Sequence, residues 1–298
     1  MSIPVFRLFC FGLGTSALVL ARQLKAEGWS VAGTCRGPEK AGALRAEGFT
    51  VHLFDGRAPM AEAARALSGA THLLISAPPD ASDTKGGVDP ALRHHAADIA
   101  ALPSLRWLGY LSTTGVYGDR QGGWVDEADA LTPSGERGRR RVMAEAGWLA
   151  LERDHGLPVH LFRLAGIYGP DSNALATVRS GRAQRVDKPG QVFSRIHVED
   201  IALTLRASIV KPNPGAAYNV CDDNPAPPAE VIRHACELLG LKPPALVPFD
   251  SAQLSPMARS FYDDNKRVRN DRIKRELGVV LKYPDYKAGL AAILACEN

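Results

Sequence analysis

The sequence has no apolar run near the ~20 residues needed to span a bilayer, which argues against a membrane-spanning helix. It has no Cys-x-x-Cys pair. Its cysteines, Cys10, Cys35, Cys221, Cys236 and Cys296, are odd in number. That argues against a disulfide framework or a zinc site and leaves small buried hydrophobes in a reducing compartment. A strong charge bias is also missing. The 36 Lys and Arg residues stand against 32 Asp and Glu, for a formal net charge of +4, too mild for a nucleic-acid binder. No signal peptide is expected, because the first apolar stretch, Val5 to Gly14, runs into a glycine motif rather than a cleavage site. Together these absences predict a cytoplasmic protein with no nucleic-acid or membrane partner. His94 and His95 are adjacent on an expected helix and point in different directions, so a solvated helix face is expected there and no metal site.

What is present is a large apolar fraction. At 298 residues and 45% hydrophobic, the chain is not disordered and can bury roughly 75% of its unfolded surface without staples. Short β-rich runs alternate with Ala/Leu-rich stretches. Strands are expected at Val5–Cys10, Ser30–Thr34, Thr50–Phe54, Thr71–Ser76, Arg106–Ser112 and Val159–Leu164. Helices are expected near Ala17–Glu27, Pro38–Glu47, Pro59–Leu67, Pro90–Leu102 and Arg137–His155, several closed by glycine at the C-cap or opened by proline. Alternation with short connections predicts an α/β fold with a doubly wound parallel sheet. After about Leu164 prolines accumulate and the pattern loosens, with helices still expected near Glu199–Ile209, Ala229–Leu239, Asp271–Leu277 and Tyr286–Ala295. The predicted organisation is a Rossmann domain from residues 1–165 and 191–222, with a smaller substrate-binding unit from 166–190 and 223–298.

The first strand ends in FGLGTSAL, where Gly12, Gly14 and Ala17 form G-x-G-x-x-A. The first glycine permits the tight turn and the second lets backbone approach a pyrophosphate. The third small residue lets helix and strand pack closely, and the helix N-terminus faces the phosphates. Placement between the first strand and first helix of a βαβ pattern supports dinucleotide binding. An NAD site usually carries an acid at the end of the second strand. Here that strand ends GTCRGPEK, with Arg36 at the expected place and Thr34 beside it. A guanidinium matches a phosphate in charge and geometry, so NADP is expected in preference to NAD. Asp55, after the third strand, is a candidate adenine contact or an ordinary turn residue.

The string YLSTTGVYGD follows, then FRLAGIYGPDS at 162–172, SRIHVEDIA at 194–202, AYNVCDDNP at 217–225 and NKRVRNDRIKRELG at 265–278. With the glycine loop, these motifs resemble the extended short-chain dehydrogenase/reductases, the NAD(P)-dependent epimerase/dehydratase family, over nearly the whole chain. The resemblance implies a cofactor set that adds Thr15, Ser16, Ala77, Pro78, Ser112 and Tyr168 to the residues above. It also implies catalysis by a Ser/Thr after the fifth strand and a Tyr-x-x-x-Lys on the next helix. The Ser/Thr maps onto Thr113. The pair does not survive, because Arg137 stands at the tyrosine position and Arg141 at the lysine position, four apart on one helix face. Arginine cannot act as that acid: with a pKa around 13.8, its neutral form costs about 9 kcal/mol at pH 7. Arg141 could hold ribose or phosphate, and Arg137 an anionic substrate.

The departure resembles the atypical branch of the family, and an uncharacterised bacterial subgroup within it. Tyr117 or Tyr168 could replace the missing phenol, water could supply the proton, or cofactor could bind without chemistry; Asp89 lies roughly where the family has a structural asparagine. Two functions are therefore expected in competition: an NADP-binding oxidoreductase or epimerase/dehydratase acting on a small polar metabolite, or a non-catalytic NADP(H) sensor or scaffold. Family members often bind nucleotide-sugars and often dimerise, so the resemblance implies a small-molecule substrate and a monomer or homodimer. The second half carries Arg179, Arg182, Arg185, Arg195, Arg259, Lys266, Arg267 and Arg269, candidates for a phosphate-bearing substrate, while His197 is expected to be structural.

Overall fold

The computed structural model describes residues 6–79 and 89–297. Seven strands form a parallel sheet. They are β1 (Arg7–Phe11), β2 (Ser30–Cys35), β3 (Thr50–Leu53), β4 (His72–Ile75), β5 (Trp107–Thr113) and the strands Val159–Leu164 and Ala217–Val220. From one edge the order is Ala217–Val220, Val159–Leu164, β5, β4, β1, β2, β3. The helices between them are α1 (Thr15–Ala26), α2 (Pro38–Ala46), α3 (Ala63–Leu67), α4 (Pro90–Ala100) and α5 (Glu136–His155). β1 pairs with both β2 and β4, so the strand order reverses at β1. A ligand crevice is expected at the carboxyl end of the strand where that reversal occurs, and the glycine loop stands there.

The expected strands are all found within one or two residues; Val5, the expected first residue of β1, lies outside the described residues. Three differences stand out. The expected helix Pro59–Leu67 shrinks to Ala63–Leu67, because Glu62 sits in the left-handed region (φ 51°) and breaks the run. The stretch near Asp271 becomes a π-helical turn, Ile273–Leu277. Ala217–Val220 is a sheet strand although its four residues carry too short a pattern to be read as one. His95 is also not on a solvated face. It is buried, stacks on Phe11 at 5.5 Å and accepts the Met60 N–H at Nε2 (3.0 Å).

By compactness the chain divides into two units. Unit 1 comprises Met1–Thr113, Arg139–Arg163 and Ala202–Tyr218; unit 2 comprises Thr114–Gly138, Leu164–Ile201 and Asn219–Asn298. The unit 1 core gathers Phe9, Phe11, Leu73, Tyr110, Trp148 and Leu161 between sheet and helices. The unit 2 core gathers Tyr168, Leu175, Val231, Tyr286, Leu290 and Ile293. Gly289 is needed there, since a Cβ would fall 2.1 Å from the Tyr168 hydroxyl. Four cysteines are buried and Cys296 is exposed, all as thiols. Among the described residues no helix is long and apolar enough to cross a membrane.

A buried ion pair crosses unit 1. Arg163, in the otherwise apolar strand VHLFRL, reaches Glu145 on α5 with Nη2 to Oε2 at 2.8 Å. Ser112 on β5 donates to the same carboxylate at 2.5 Å. Removing the cation would strand a buried carboxylate, so Arg163→Met should destabilise the fold by about 3–5 kcal/mol, read as a lower urea midpoint. His160 gives a second prediction. Its Nε2 accepts the Asn213 N–H (2.9 Å) and its Nδ1 lies 3.3 Å from Leu108 O, so the neutral ring carries its proton on Nδ1. Burial pushes its pKa down to about 4. The unfolded chain therefore takes the proton first. Stability is complete above pH 6.5 and falls as pH drops toward 4, by up to about 3 kcal/mol from this residue. Urea midpoints across that window should show the loss, and His160→Gln should remove this residue's share while leaving that of His72 and His197, which burial also lowers to about 4.

Candidate functional site

β1 runs into a loop whose backbone demands glycine. Gly12 has φ 92°, and a Cβ there would lie 2.9 Å from the Ala77 backbone nitrogen. The loop is held from beneath. The Gly12 N–H donates to the Thr34 hydroxyl (2.8 Å), the Leu13 N–H to Thr34 O (2.7 Å), and the Ala77 N–H to Phe11 O (2.8 Å). Thr34 is buried, so its hydroxyl supports the loop rather than standing open beside Arg36. Ala77 is part-buried against the loop, and Pro78 is exposed next to it.

Gly14 caps α1 in an extended conformation that any residue can adopt (φ −88°). The nearest atom to a Cβ there is Ser76 Oγ at 4.0 Å, so nothing within unit 1 requires glycine at this position. α1 has no side-chain cap and no acid in its first turn. Thr15 is exposed at its start, while Ser16 and Ala17 are buried against the sheet. Uncapped N–H groups and the positive dipole end face a space left open by a missing side chain, which is the chemistry of an anion cradle.

Arg36 leaves the end of β2 exposed, and no hydrogen bond or ion pair holds it among the described residues. It lines a shallow cavity of about 280 Å³ with Leu53, Phe54, Asp55, Ala58 and Pro59. Asp55 accepts the Arg57 N–H (2.9 Å) as a turn residue, with its side chain about half exposed.

At the end of β5, Ser112 is buried and spends its hydroxyl on Glu145. Thr113 is part-buried at the last strand position. Arg141, at the family's lysine position, donates through Nη1 to the Tyr110 hydroxyl (3.0 Å) and to Leu111 O (2.6 Å), with its guanidinium over the Tyr110 ring. It braces β5. Burial pushes the Tyr110 phenol up despite Arg141. Asp89 is fully buried and caps α4, accepting from Ala91 N (2.9 Å) and Leu92 N (3.2 Å). Its other oxygen has no partner among the described residues, and burial raises it to about 6 against the pull of Arg141.

The remaining candidates lie in unit 2. Tyr117 is fully buried and donates to Asn219 Oδ1 (2.7 Å). Tyr168 is buried, bonds Asp285 O (3.3 Å), and is pushed up by burial and then by Asp222. Neither phenol stands in the open. Arg137 is exposed, with its guanidinium 5.3 Å from the Phe261 ring centre. His197 is buried between Tyr168 and Tyr283, and burial lowers it to about 4.

Most of the expected cationic set is spent on local structure. Arg179 pairs with Glu297, Arg182 meets Ser180, Arg185 meets Pro244 O, and Arg259 meets Ala252 O. Lys266 meets Asp264 and Gly118 O, Arg267 meets Gly122 O, and Arg269 covers the Trp124 ring. Sequence reasoning missed the roles of Glu145 and Arg163. The available signal was an arginine inside an apolar strand, which requires a buried partner.

No family model matches the chain. It is 29% identical over 285 residues to Protein YeeZ of Escherichia coli (strain K12), spanning 92% of this chain and 95% of that protein. A conserved protein of unknown function from Silicibacter pomeroyi DSS is 54% identical, with a TM-score of 0.89 over 98% of this chain and 99% of that one. DesIV, a dTDP-glucose 4,6-dehydratase from Streptomyces venezuelae solved as a double mutant with NAD bound, matches at TM-score 0.79 over 97% and 95% of the two chains. At 17% identity that likeness shows the fold. The chain belongs to the family of the Silicibacter pomeroyi protein and has the Rossmann-type fold of the NAD-dependent epimerase/dehydratases, the extended short-chain dehydrogenase/reductases.

Proposed function

We propose that unit 1 binds a nicotinamide dinucleotide, NADP in preference to NAD, and that the protein is an oxidoreductase or epimerase-like enzyme acting on a small polar metabolite. The observation that carries this reading is the glycine loop. Gly12 is required by its own backbone and by Ala77, whereas Gly14 is required by nothing in unit 1 and leaves room before an uncapped helix start. A pyrophosphate would fill that room. Ser16 and Ala17 keep α1 close to the sheet, and Thr15 N–H belongs to the cradle. The open Arg36 side chain favours a 2′-phosphate, and the cavity walls at Leu53 and Phe54 suit an adenine face.

A bound nicotinamide supplies the hydride donor or acceptor. The chain's own part would be orientation. Thr113 would hydrogen-bond a substrate oxygen from the end of β5, and Arg137 would bind an anionic group. Arg141 acts as a positioning residue, since its guanidinium holds Tyr110 and Leu111 and so fixes the strand end that carries Ser112 and Thr113. The competing reading, a cofactor-binding sensor without chemistry, is favoured by one observation: both candidate phenols, Tyr117 and Tyr168, are buried and hydrogen-bonded. An NADPH-oxidation screen over keto-sugars, sugar nucleotides and aldehydes separates the two. Turnover of any of them supports the enzyme, and tight NADPH binding with none supports the sensor.

NADPH should bind more tightly than NADH, and Arg36→Ala should erase most of a preference worth roughly tenfold to a hundredfold, the size of a lost charge-assisted contact. Fluorescence titration reads it, and equal affinities in the unaltered protein would defeat the NADP assignment. Gly14→Val should leave the melting temperature close to that of the parent while abolishing dinucleotide binding. Gly12→Ala should lower the melting temperature, because its Cβ meets backbone. Retained binding in a folded Gly14→Val protein would overturn the pyrophosphate site.

A further inference from the structure

Unit 2 contains a guanidinium and a carboxyl that are buried near each other and not joined. Arg195 lies on the short strand Arg195–His197 and is only part-exposed. Its Nη1 donates to Phe193 O (2.8 Å) and to Ala226 O (3.0 Å). Among the described residues no hydrogen bond engages Nε or Nη2, and no ion pair engages the group at all. Asp222 is 1% exposed. Its backbone N–H bonds Arg195 O (2.6 Å), which places the two residues side by side. One carboxyl oxygen accepts the Asn224 N–H (3.2 Å) and the other is buried without a partner among the described residues. Tyr168, Tyr262 and Tyr286 are all within electrostatic reach of the Arg195 guanidinium, and all three are buried.

Such an arrangement is costly unless something completes it. A buried carboxyl lacking a partner is ordinarily paired or neutralised, and an arginine fork with an unused edge ordinarily meets an oxyanion. Had the two served only the fold, direct contact would have satisfied both. We propose that Arg195 and Asp222 form a recognition site in unit 2 for a small hydroxylated oxyanion, a carboxylate or a phosphate. The oxyanion accepts hydrogen bonds from the unused edge of Arg195 and from the carboxyl of Asp222 in its protonated form. The ligand's hydroxyls face the tyrosine side of the pair. The site stands apart from the dinucleotide reading, since every residue in it belongs to unit 2.

Binding should then be linked to a proton. Burial raises Asp222 to about 7. Arg195 on its strand pulls it down, and Asp285 ahead of the C-terminal helix and Asp223 beside it push it up. Tyr168, on the strand Gly166–Tyr168, is pushed up by burial and then by Asp222 and so stays neutral. A ligand oxyanion beside Asp222 raises it further. Below pH 7 the proton is already there, and above it the proton must be taken up.

The test is calorimetric titration of the full chain without dinucleotide, using gluconate, glucose 6-phosphate and glucose. Binding of gluconate or glucose 6-phosphate is expected, with glucose binding at least tenfold weaker; the stronger of the two anions identifies the source of the oxyanion. Gluconate affinity should fall about tenfold from pH 6 to pH 8, the limit set by one proton. Asp222→Asn should keep binding and lose that pH dependence. Arg195→Lys, which keeps the charge without the fork, and Arg195→Gln should each weaken binding at least tenfold in protein that melts cooperatively. Equal binding of glucose and gluconate would overturn the proposal. So would no binding of either anion at tens of millimolar, or an unchanged pH profile in Asp222→Asn. Because no dinucleotide is present, failure here leaves the glycine-loop assignment standing, and failure of NADPH binding leaves this one standing.

Discussion

The Glu145 carboxylate ties together the part of unit 1 that matters most. It receives Ser112 from the end of β5 and Arg163 from the neighbouring strand, and it sits one turn beyond Arg141 on α5. One buried anion thus joins a helix to two central strands. A pair buried this deeply adds little net stability over an apolar replacement, but it is specific: only one register of α5 against the sheet satisfies both partners. Arg141 works from the same helix face, holding Tyr110 and Leu111. The position of Thr113 follows from both.

The same logic governs the glycine loop, where the supporting hydroxyl comes from Thr34 on the adjacent strand. A side chain that the motif assigns to a ligand is instead fixing the backbone that would receive one. Gly12 and Gly14 separate into two kinds of glycine. The first is required by conformation and by Ala77, and the second keeps a space clear. That separation gives the motif a physical content that spacing alone does not have.

Arg137 and Arg141 stand where the resemblance implies Tyr-x-x-x-Lys. Arg141 keeps a cation at the lysine position but turns it toward β5. Arg137 is exposed over an aromatic ring, and neither Tyr117 nor Tyr168 is presented to solvent. In unit 2, the long roll of arginines visible in the sequence shrinks once their partners are known. Arg195 is set apart because its neighbours leave half of its fork unused beside a carboxyl that also lacks a partner.

The sequence by itself determined the parallel sheet, the positions of its first six strands along the chain and the place of the glycine loop; their order in the sheet came from the structure. These rest on local periodicity and on turn residues, which short-range sterics dictate. The resemblance read from it places Arg137 and Arg141 at the family's tyrosine and lysine positions. Tertiary structure alone decided the seventh strand, Ala217–Val220, because an edge strand of four residues is defined by its neighbour. It alone decided that His95 is buried on Phe11 rather than solvated. It alone revealed the partners of Glu145 and the isolation of Asp222. A charged side chain's role depends on which groups, distant in sequence, share its low-dielectric surroundings, and no local pattern carries that information.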